Sequence, residues 1–408
     1  MRYLQISFII FYVLISSILI SSATHYVDGK RSISKTEEDD IEIERQLRVL
    51  NKKPVKTIIT KVGDIMDCVD IYMQPAFDNP LLKDHKIQMN PNSVPGETTN
   101  KTISSSSIFR TVPIRRTTRA DLVDAKHFLK KTRPIHANDM GGDYLYAEEV
   151  IQDKRYLGGA TSMSIHNLTV DLDQTSTSQI WIMNGPPEEV YSVEVGIMKS
   201  PMIFGDSHSR LFGSWSHSRL FGSWTSYNGA QRIGCFNMMC PGFIQISSAV
   251  SFGHEFTQSS IYGQISYDVY LMVSRSQSTG NWWLSMGSSA ETSEPVGYWP
   301  SELFTQFKIS ASSVKYGGYA VALSQESTPP LGNGYLPQLD DYKMTAFMSK
   351  MQFVNETGGL VDLNPHSMQT KRGPLPQCYD IKIAGQLGEG WFTTMVYWGP
   401  GGMVCALS

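Results

Sequence analysis

The chain has 408 residues, of which 41% are hydrophobic, 11% aromatic and 18% charged. Its 35 basic and 38 acidic residues leave a net charge of −3, without the basic excess of a general nucleic-acid binder. The low charge and 33 glycines exclude a coiled coil, and the aromatic content excludes a largely disordered chain.

Residues 1–23 read as a secretory signal peptide. Arg2 precedes an apolar run from Ile9 to Ile20, and Ser21-Ser22-Ala23 supplies small residues for cleavage. No later stretch approaches 18 apolar residues, so no stable membrane anchor is expected after its removal.

The remainder divides sharply. Residues 24–134 carry 20 Lys/Arg and 15 Asp/Glu, a net +5, and only five aromatics. Residues 135–408 carry 14 basic and 23 acidic residues, a net −9, with 35 aromatics and all eight tryptophans. Two physically different units are joined. In the first, Ile43, Leu47 and Leu50 are spaced for a helix over 37–50. Lys56–Thr60 and Asp64–Met73 read as short strands around the turn Lys61-Val62-Gly63. From Asn90 to Thr118 the composition turns to Pro, Ser, Thr and Asn, which predicts a flexible, protease-accessible connector.

The second unit reads as all-β, with antiparallel strands stacked as a two-sheet sandwich of jelly-roll type or closed as a barrel. Strand-like runs are Thr161–Val170, Gln179–Met183, Ser192–Met198, Gly242–Ser248, Tyr267–Ser274, Trp282–Met286, Ser313–Ser324, Met348–Val354 and Gly390–Tyr397. The nine residues Ser207–Trp215, SHSRLFGSW, repeat unchanged as Ser216–Trp224. One such duplication is too short for a solenoid and reads as a lengthened hairpin or loop. Trp282, Trp283 and Trp299 suit either a sandwich core or a sugar-stacking cleft.

Of the five cysteines, Cys235, Cys240, Cys378 and Cys405 form an even set in the second unit, where disulfides are expected. Three connectivities are open. The close pair in GCFNMMC favours Cys235–Cys240, leaving Cys378–Cys405. A zinc site is the alternative, but no histidine lies near the C-x4-C spacing. Cys68 is the odd one. Asn100, Asn167 and Asn355 begin glycosylation sequons, consistent with secretion.

The segments QLRVLNKKPVKTIIT, GDIMDCVDIYMQPAFDNPLLKDHKIQMNP, SQIWI, SVEVGI, GCFNMMCPGFIQ, TGNWWL, VGYWPSELF and PQCYDI together resemble the plant neprosin family. The resemblance implies a neprosin activation-peptide segment over about 40–95 and a neprosin domain over about 140–408. It implies a secreted zymogen, apoplastic or vacuolar, with a β-sandwich glutamic peptidase that cuts after proline in acid. The two disulfides match its pattern. No metal or cofactor is implied.

A glutamic peptidase needs two facing carboxyl groups, one ionised to take a proton from water and one protonated to donate to the leaving group. Glu194, in Ser192-Val193-Glu194-Val195-Gly196, falls at the family's first catalytic glutamate. Val193 and Val195 point to the opposite face of the strand, so Glu194 shares a polar face with Ser192. The family's second glutamate stands in a Trp-Gly-Gly-Glu-Val stretch, which here is Tyr316-Gly317-Gly318-Tyr319-Ala320-Val321. Tyr319 thus occupies the glutamate position. A phenol with a pKa of about 10 donates a hydrogen bond but does not replace a carboxylic acid as proton donor in acid. Ile197 also stands where the family tends to have Trp. Glu291, Glu294 and Glu302 are the nearby acids that would have to compensate.

Two functions follow. One is a zymogen-type prolyl endopeptidase acting on proline-containing peptides or proteins and restrained by its own pro-segment. The other is a catalytically inactive neprosin fold that binds peptide or cell-wall glycan. The opposite charges of the two units further predict a pro-segment held near neutral pH and loosened in acid.

Overall fold

The computed structural model describes residues 40–93, 95, 110–131, 143–149, 154–185, 189–219, 231–322, 327–336, 341–372, 376–385 and 390–406. The expected signal peptide and Asn100 lie outside these. The chain forms two compact units, Met1–Val49 and Leu50–Ser408. In the first, residues 40–49 are helical (α1), as the spacing of Ile43 and Leu47 requires.

The second unit opens with a three-stranded antiparallel sheet of β1 (Lys56–Ile59), β2 (Ile65–Asp70) and β3 (Thr111–Arg115). Gly63 has φ +92° in the β1–β2 turn, a conformation that favours glycine. β3 corrects the sequence reading, because it lies within the stretch expected to be a flexible connector. Average composition hid the alternation in Thr-Val-Pro-Ile-Arg, whose Val112 and Ile114 are buried. Pro113 is tolerated because β3 is an edge strand, with a partner on one side only. Residues 96–109 of that stretch lie outside the described residues.

Helix α2 (Arg119–Lys131) follows, and it too was unforeseen. Thr118 caps it. The Thr118 Oγ1 accepts from the Asp121 amide at 3.2 Å, and Asp121 Oδ2 accepts from the Thr118 amide at 2.6 Å. This reciprocal box satisfies two amide donors at the start of the helix. Leu122, Ala125 and Phe128, three residues apart, form its buried stripe.

The rest is a two-sheet antiparallel sandwich, as the sequence reading expected. In chain order it comprises β4 (Asp143–Glu149), β5 (Gly158–Ser164), β6 (Gln174–Asn184), β7 (Glu189–Lys199), the short helix α3 (Pro201–Phe204), β8 (Arg210–Arg219) and β9 (Gln231–Phe236). Then come β10 (Ile244–Gln245), β11 (Asp268–Arg275), β12 (Trp282–Gly287), β13 (Glu294–Trp299), β14 (Ser313–Ala322), β15 (Phe347–Val354), β16 (Leu360–Asp362), β17 (Met368–Lys371), β18 (Asp380–Gly385), β19 (Thr394–Trp398) and α4 (Met403–Ala406). One sheet runs β17-β4-β14-β6-β7-β8-β9; the other runs β10-β13-β12-β11-β5-β15-β19-β18, with β16 on β15.

The strongest strands of the sequence reading are present, with ends shifted by a few residues. The duplicated SHSRLFGSW segment builds part of the β8–β9 hairpin, and residues 220–230 of it lie outside the described residues.

Alternation explains the core. Tyr191, Val193, Val195 and Ile197 of β7, with Ile180 and Ile182 of β6, pack inward against the other sheet's Leu271, Val273 and Leu284. Trp282, Trp283 and Trp299 are buried in the same core, at 1% exposure or less. The core reading of these tryptophans therefore holds, and they offer no surface for sugar stacking. Val69, Ile71, Leu82 and Ile87 of the N-terminal segment join the same cluster.

Buried polar groups fix that docking. Gln74 donates to the Gln245 carbonyl (3.1 Å) and accepts from the Gln245 amide (2.8 Å), in the manner of a strand partner. Gln88 Oε1 accepts from Thr279, Asn281 and the Trp283 indole. Disulfides join Cys235 to Cys240 and Cys378 to Cys405, and Cys68 is a buried free thiol in β2. The zinc alternative falls away with the Cys235–Cys240 bond. Among the described residues no helix is long and apolar enough to cross a membrane, and no cluster of metal-ligating residues occurs.

Candidate active-site cleft

The outward face of the seven-stranded sheet carries Glu194. β6 and β7 pair with Trp181 opposite Glu194 and Gln179 opposite Gly196. β14 pairs with β6 so that Gly317 faces Gln179 and Lys315 faces Trp181. Ser214 of β8 stands opposite Glu194 on the other side. Ser192, Glu194, Gln179, Trp181, Lys315 and Tyr319 therefore share one face.

This face is strongly curved. Phe128 of α2 has its ring centroid 6.5 Å from that of Tyr319 on β14 and 6.2 Å from that of Phe236 on β9. Those strands stand four strand spacings apart, about 19 Å on a flat sheet. Only a concave sheet brings both rings against one side chain. Ala125 and Phe128, with Ile203 and Phe204 of α3, seal the hollow over Trp181, Met183, Met198, Phe212 and Tyr319.

Glu194 is buried, at 7% exposure. Its two carboxylate oxygens each accept a hydrogen bond at 3.0 Å, Oε2 from the Gln179 amide and Oε1 from the Ser192 hydroxyl. Two donors on one carboxylate fix its orientation. Gln179 lies within the SQIWI segment, where a lone Gln in a strand carries no chemical signal.

Tyr319 is also buried and belongs to the apolar cluster under α2. Its amide donates to Thr177 Oγ1 at 3.1 Å. In register it lies two strands from Glu194 and four residues along the sheet. Gly317 and Gly318 are required by close packing of β14, since a Cβ would approach the Leu145 and Thr177 carbonyl oxygens to within 2.0 Å.

The acids weighed as substitutes are elsewhere. Glu294 is exposed on β13 of the other sheet, and Glu291 lies in the exposed turn before it. Glu302 accepts from His85 Nδ1 at 2.8 Å, and this bond foremost holds its carboxyl below the usual glutamate range. The other His85 nitrogen bonds the Tyr298 hydroxyl at 2.9 Å.

A second polar cluster, unforeseen in the sequence, borders the cleft. Arg210, fully buried, donates to Asp64 (2.6 Å), to the Gly253 carbonyl (2.7 Å) and to Asp206. Burial would raise the Asp206 carboxyl, but the Arg210 bonds bring it below its ordinary value. Arg115 joins Asp64, Asp121 and the Phe204 carbonyl. At Arg210–Asp64 the sandwich supplies the cation and the N-terminal segment the anion, the reverse of their net charges.

Of the sequons, Asn167 is exposed and its amide oxygen accepts from Lys199 Nζ at 2.6 Å. Asn355 caps its own turn through Thr357 and Gly359.

The arrangement defines a class: an antiparallel sandwich with a buried carboxylate on a concave sheet, roofed by a helix from an N-terminal docking module. The family model for neprosin matches residues 172–400, and that for the neprosin activation peptide matches residues 57–145. The chain belongs to the neprosin family. Among solved structures it is similar to scytalido-glutamic peptidase bound to a transition-state analogue inhibitor. That alignment has 8% identity, covers 63% of this chain and 97% of the other, and has a TM-score of 0.34. SCP-B, an eqolisin-family peptidase in complex with the tripeptide Ala-Ile-His, aligns at 6% identity over 63% and 96%, TM-score 0.33. An alginate lyase from Klebsiella pneumoniae aligns at 9% identity over 64% and 75%, TM-score 0.20. These likenesses are too distant to transfer a residue's role.

Proposed function

We propose that this chain is a secreted, pro-segment-capped neprosin that binds proline-containing peptides over Glu194, with hydrolysis crippled by Tyr319. The observation that carries this reading is the packing of Tyr319 within an apolar cluster, at the position where the family places its second glutamate.

Peptide hydrolysis here would begin with Glu194 taking a proton from water as the water oxygen bonds to the scissile carbonyl carbon. The C–N bond then breaks only as the leaving nitrogen gains a proton, which a carboxylic acid supplies in acid. Tyr319 can donate a hydrogen bond but is a far weaker acid, and Glu291, Glu294 and Glu302 stand away from this face. Peptide binding needs no such donor. The packing of Ala125 and Phe128 of α2 on Trp181, the residue opposite Glu194 in register, supports the pro-segment role.

The test is the full chain at pH 3–5 with a proline-containing peptide, alongside Tyr319→Glu, Glu194→Gln and the double variant. Cleavage is expected from Tyr319→Glu and not from the double variant. Efficient cleavage by the wild type that Glu194→Gln abolishes would overturn the reading.

A further inference from the structure

Among the described residues, two buried polar atoms on the cleft floor have no hydrogen-bond partner: the Gln179 side-chain carbonyl Oε1 and the Trp181 indole N–H. Gln179 is 0% and Trp181 1% exposed. Unpaired buried polar atoms are costly, so a pair of them beside one carboxylate calls for a reason. Both lie on the Glu194 face. Gln179 is fixed there by its own bond to Glu194, and Trp181 by packing in the cluster that α2 roofs.

The neighbours of Gln179 across the sheet on that face are Gly317 on one side and Gly196 on the other. A Cβ at either would run into the Leu145 or Ser178 carbonyl oxygen of the adjoining strand at 2.0 Å or less, so neither position puts a side chain beside the Gln179 amide. One acceptor and one donor thus stand two residues apart on β6, roughly 7 Å at the backbone, which is the two-residue repeat of an extended peptide.

Resting on the peptide-binding reading above, we infer that Gln179 and Trp181 form a backbone-recognition subsite: Trp181 Nε1 donates to a carbonyl of an extended peptide, and Gln179 Oε1 accepts from one of its N–H groups. The residue opposite Gln179 cannot be proline, which has no N–H. The subsite therefore sets the frame in which a proline elsewhere in the ligand meets Glu194. Its use does not depend on a second carboxyl, so it survives the loss of the family's second glutamate.

The experiment uses the full chain carrying Phe128→Asp, with displacement of α2 verified by hydrogen exchange of its amides. The probe is a blocked hexapeptide with proline at its third position, together with its singly N-methylated versions, titrated calorimetrically. The opened chain is expected to bind the parent peptide, and Trp181→Phe, which removes only the N–H donor among polar groups, to weaken binding about tenfold. One N-methyl position is expected to lose about tenfold with Gln179 present and to lose nothing further in Gln179→Met. No binding by the opened chain overturns the inference, as does equal affinity in Trp181→Phe or an N-methyl penalty independent of residue 179. Binding without cleavage leaves the inference standing whatever becomes of hydrolysis. Cleavage with a KM unmoved by Trp181→Phe sinks the subsite and spares the peptidase.

Discussion

The two faces of β7 are built from alternate residues of one eleven-residue strand and have opposite chemistry. Tyr191, Val193, Val195 and Ile197 enter the sandwich core, while Ser192, Glu194 and Gly196 line the concave face. Both faces are dry, but for different reasons. The inner face is covered by a second sheet; the concave face is covered in part by α2, whose Ala125 and Phe128 pack with Trp181, Met198 and Tyr319. Burial thus has two sources here, a sheet and a helix.

That contrast can be broken most forcefully on the concave face. Restoring a carboxyl by Tyr319→Glu is expected to raise peptide hydrolysis at pH 3–5 by about 10²–10⁴, the usual range for a positioned proton donor. Initial rates with and without Glu194→Gln check this. Next in size is Arg210→Ala, which strands Asp64 and Asp206 without their common cation. The expected loss is about 3–5 kcal/mol in urea unfolding of the full chain, as for other buried pairs broken from one side. On the inner face, Ile180→Val removes one methylene from the core. It should cost about 1 kcal/mol, with the same value at pH 4 and pH 7 because no titrating group is touched.

The smallest effect is the pH dependence of docking. Glu302 is held below its ordinary range by His85 of the N-terminal segment, so its docked pKa lies below its released pKa. Docking is therefore favoured above the usual glutamate range and weakens as pH falls through the depressed value. Hydrogen exchange in residues 80–90 is expected to quicken as pH is lowered from 5 to 3, after correction for intrinsic rates. Slower exchange there would contradict the assignment.

Periodicity made much of the sandwich legible in advance. Val193 and Val195 flanking Glu194 placed that carboxyl on the face away from the core, and the clustered Val, Ile, Tyr and Trp marked β6, β7, β11, β12, β14 and β15, though not β4, β13 or the ten-residue β8. What escaped was carried by short patterns inside polar stretches. Val112 and Ile114 alternate within a Ser/Thr/Pro-rich segment, and Thr118-x-x-Asp121 ahead of Leu122, Ala125 and Phe128 is a legible helix start that bulk composition masked. Gln179 and Trp181 belong to a different category. No local pattern marks them, since their significance comes from strands that meet only in the sheet.

By itself the sequence determined the charge division into two units, the all-β character of the larger one, the neprosin resemblance and the substitution of Tyr319 for a glutamate. Each of these is a local property, readable from neighbouring residues or from motifs in order. Tertiary structure alone decided that the basic segment meets the acidic domain partly through Asp64 and Arg210, with signs reversed from the averages. It also decided that Glu194 has Gln179 and Ser192 as donors and that Phe128 packs in the cluster of its strand neighbour Trp181. Net charge sums over surfaces, most of it far from any contact, whereas a buried ion pair or hydrogen bond is fixed by a few atoms that chain topology brings within about 3 Å.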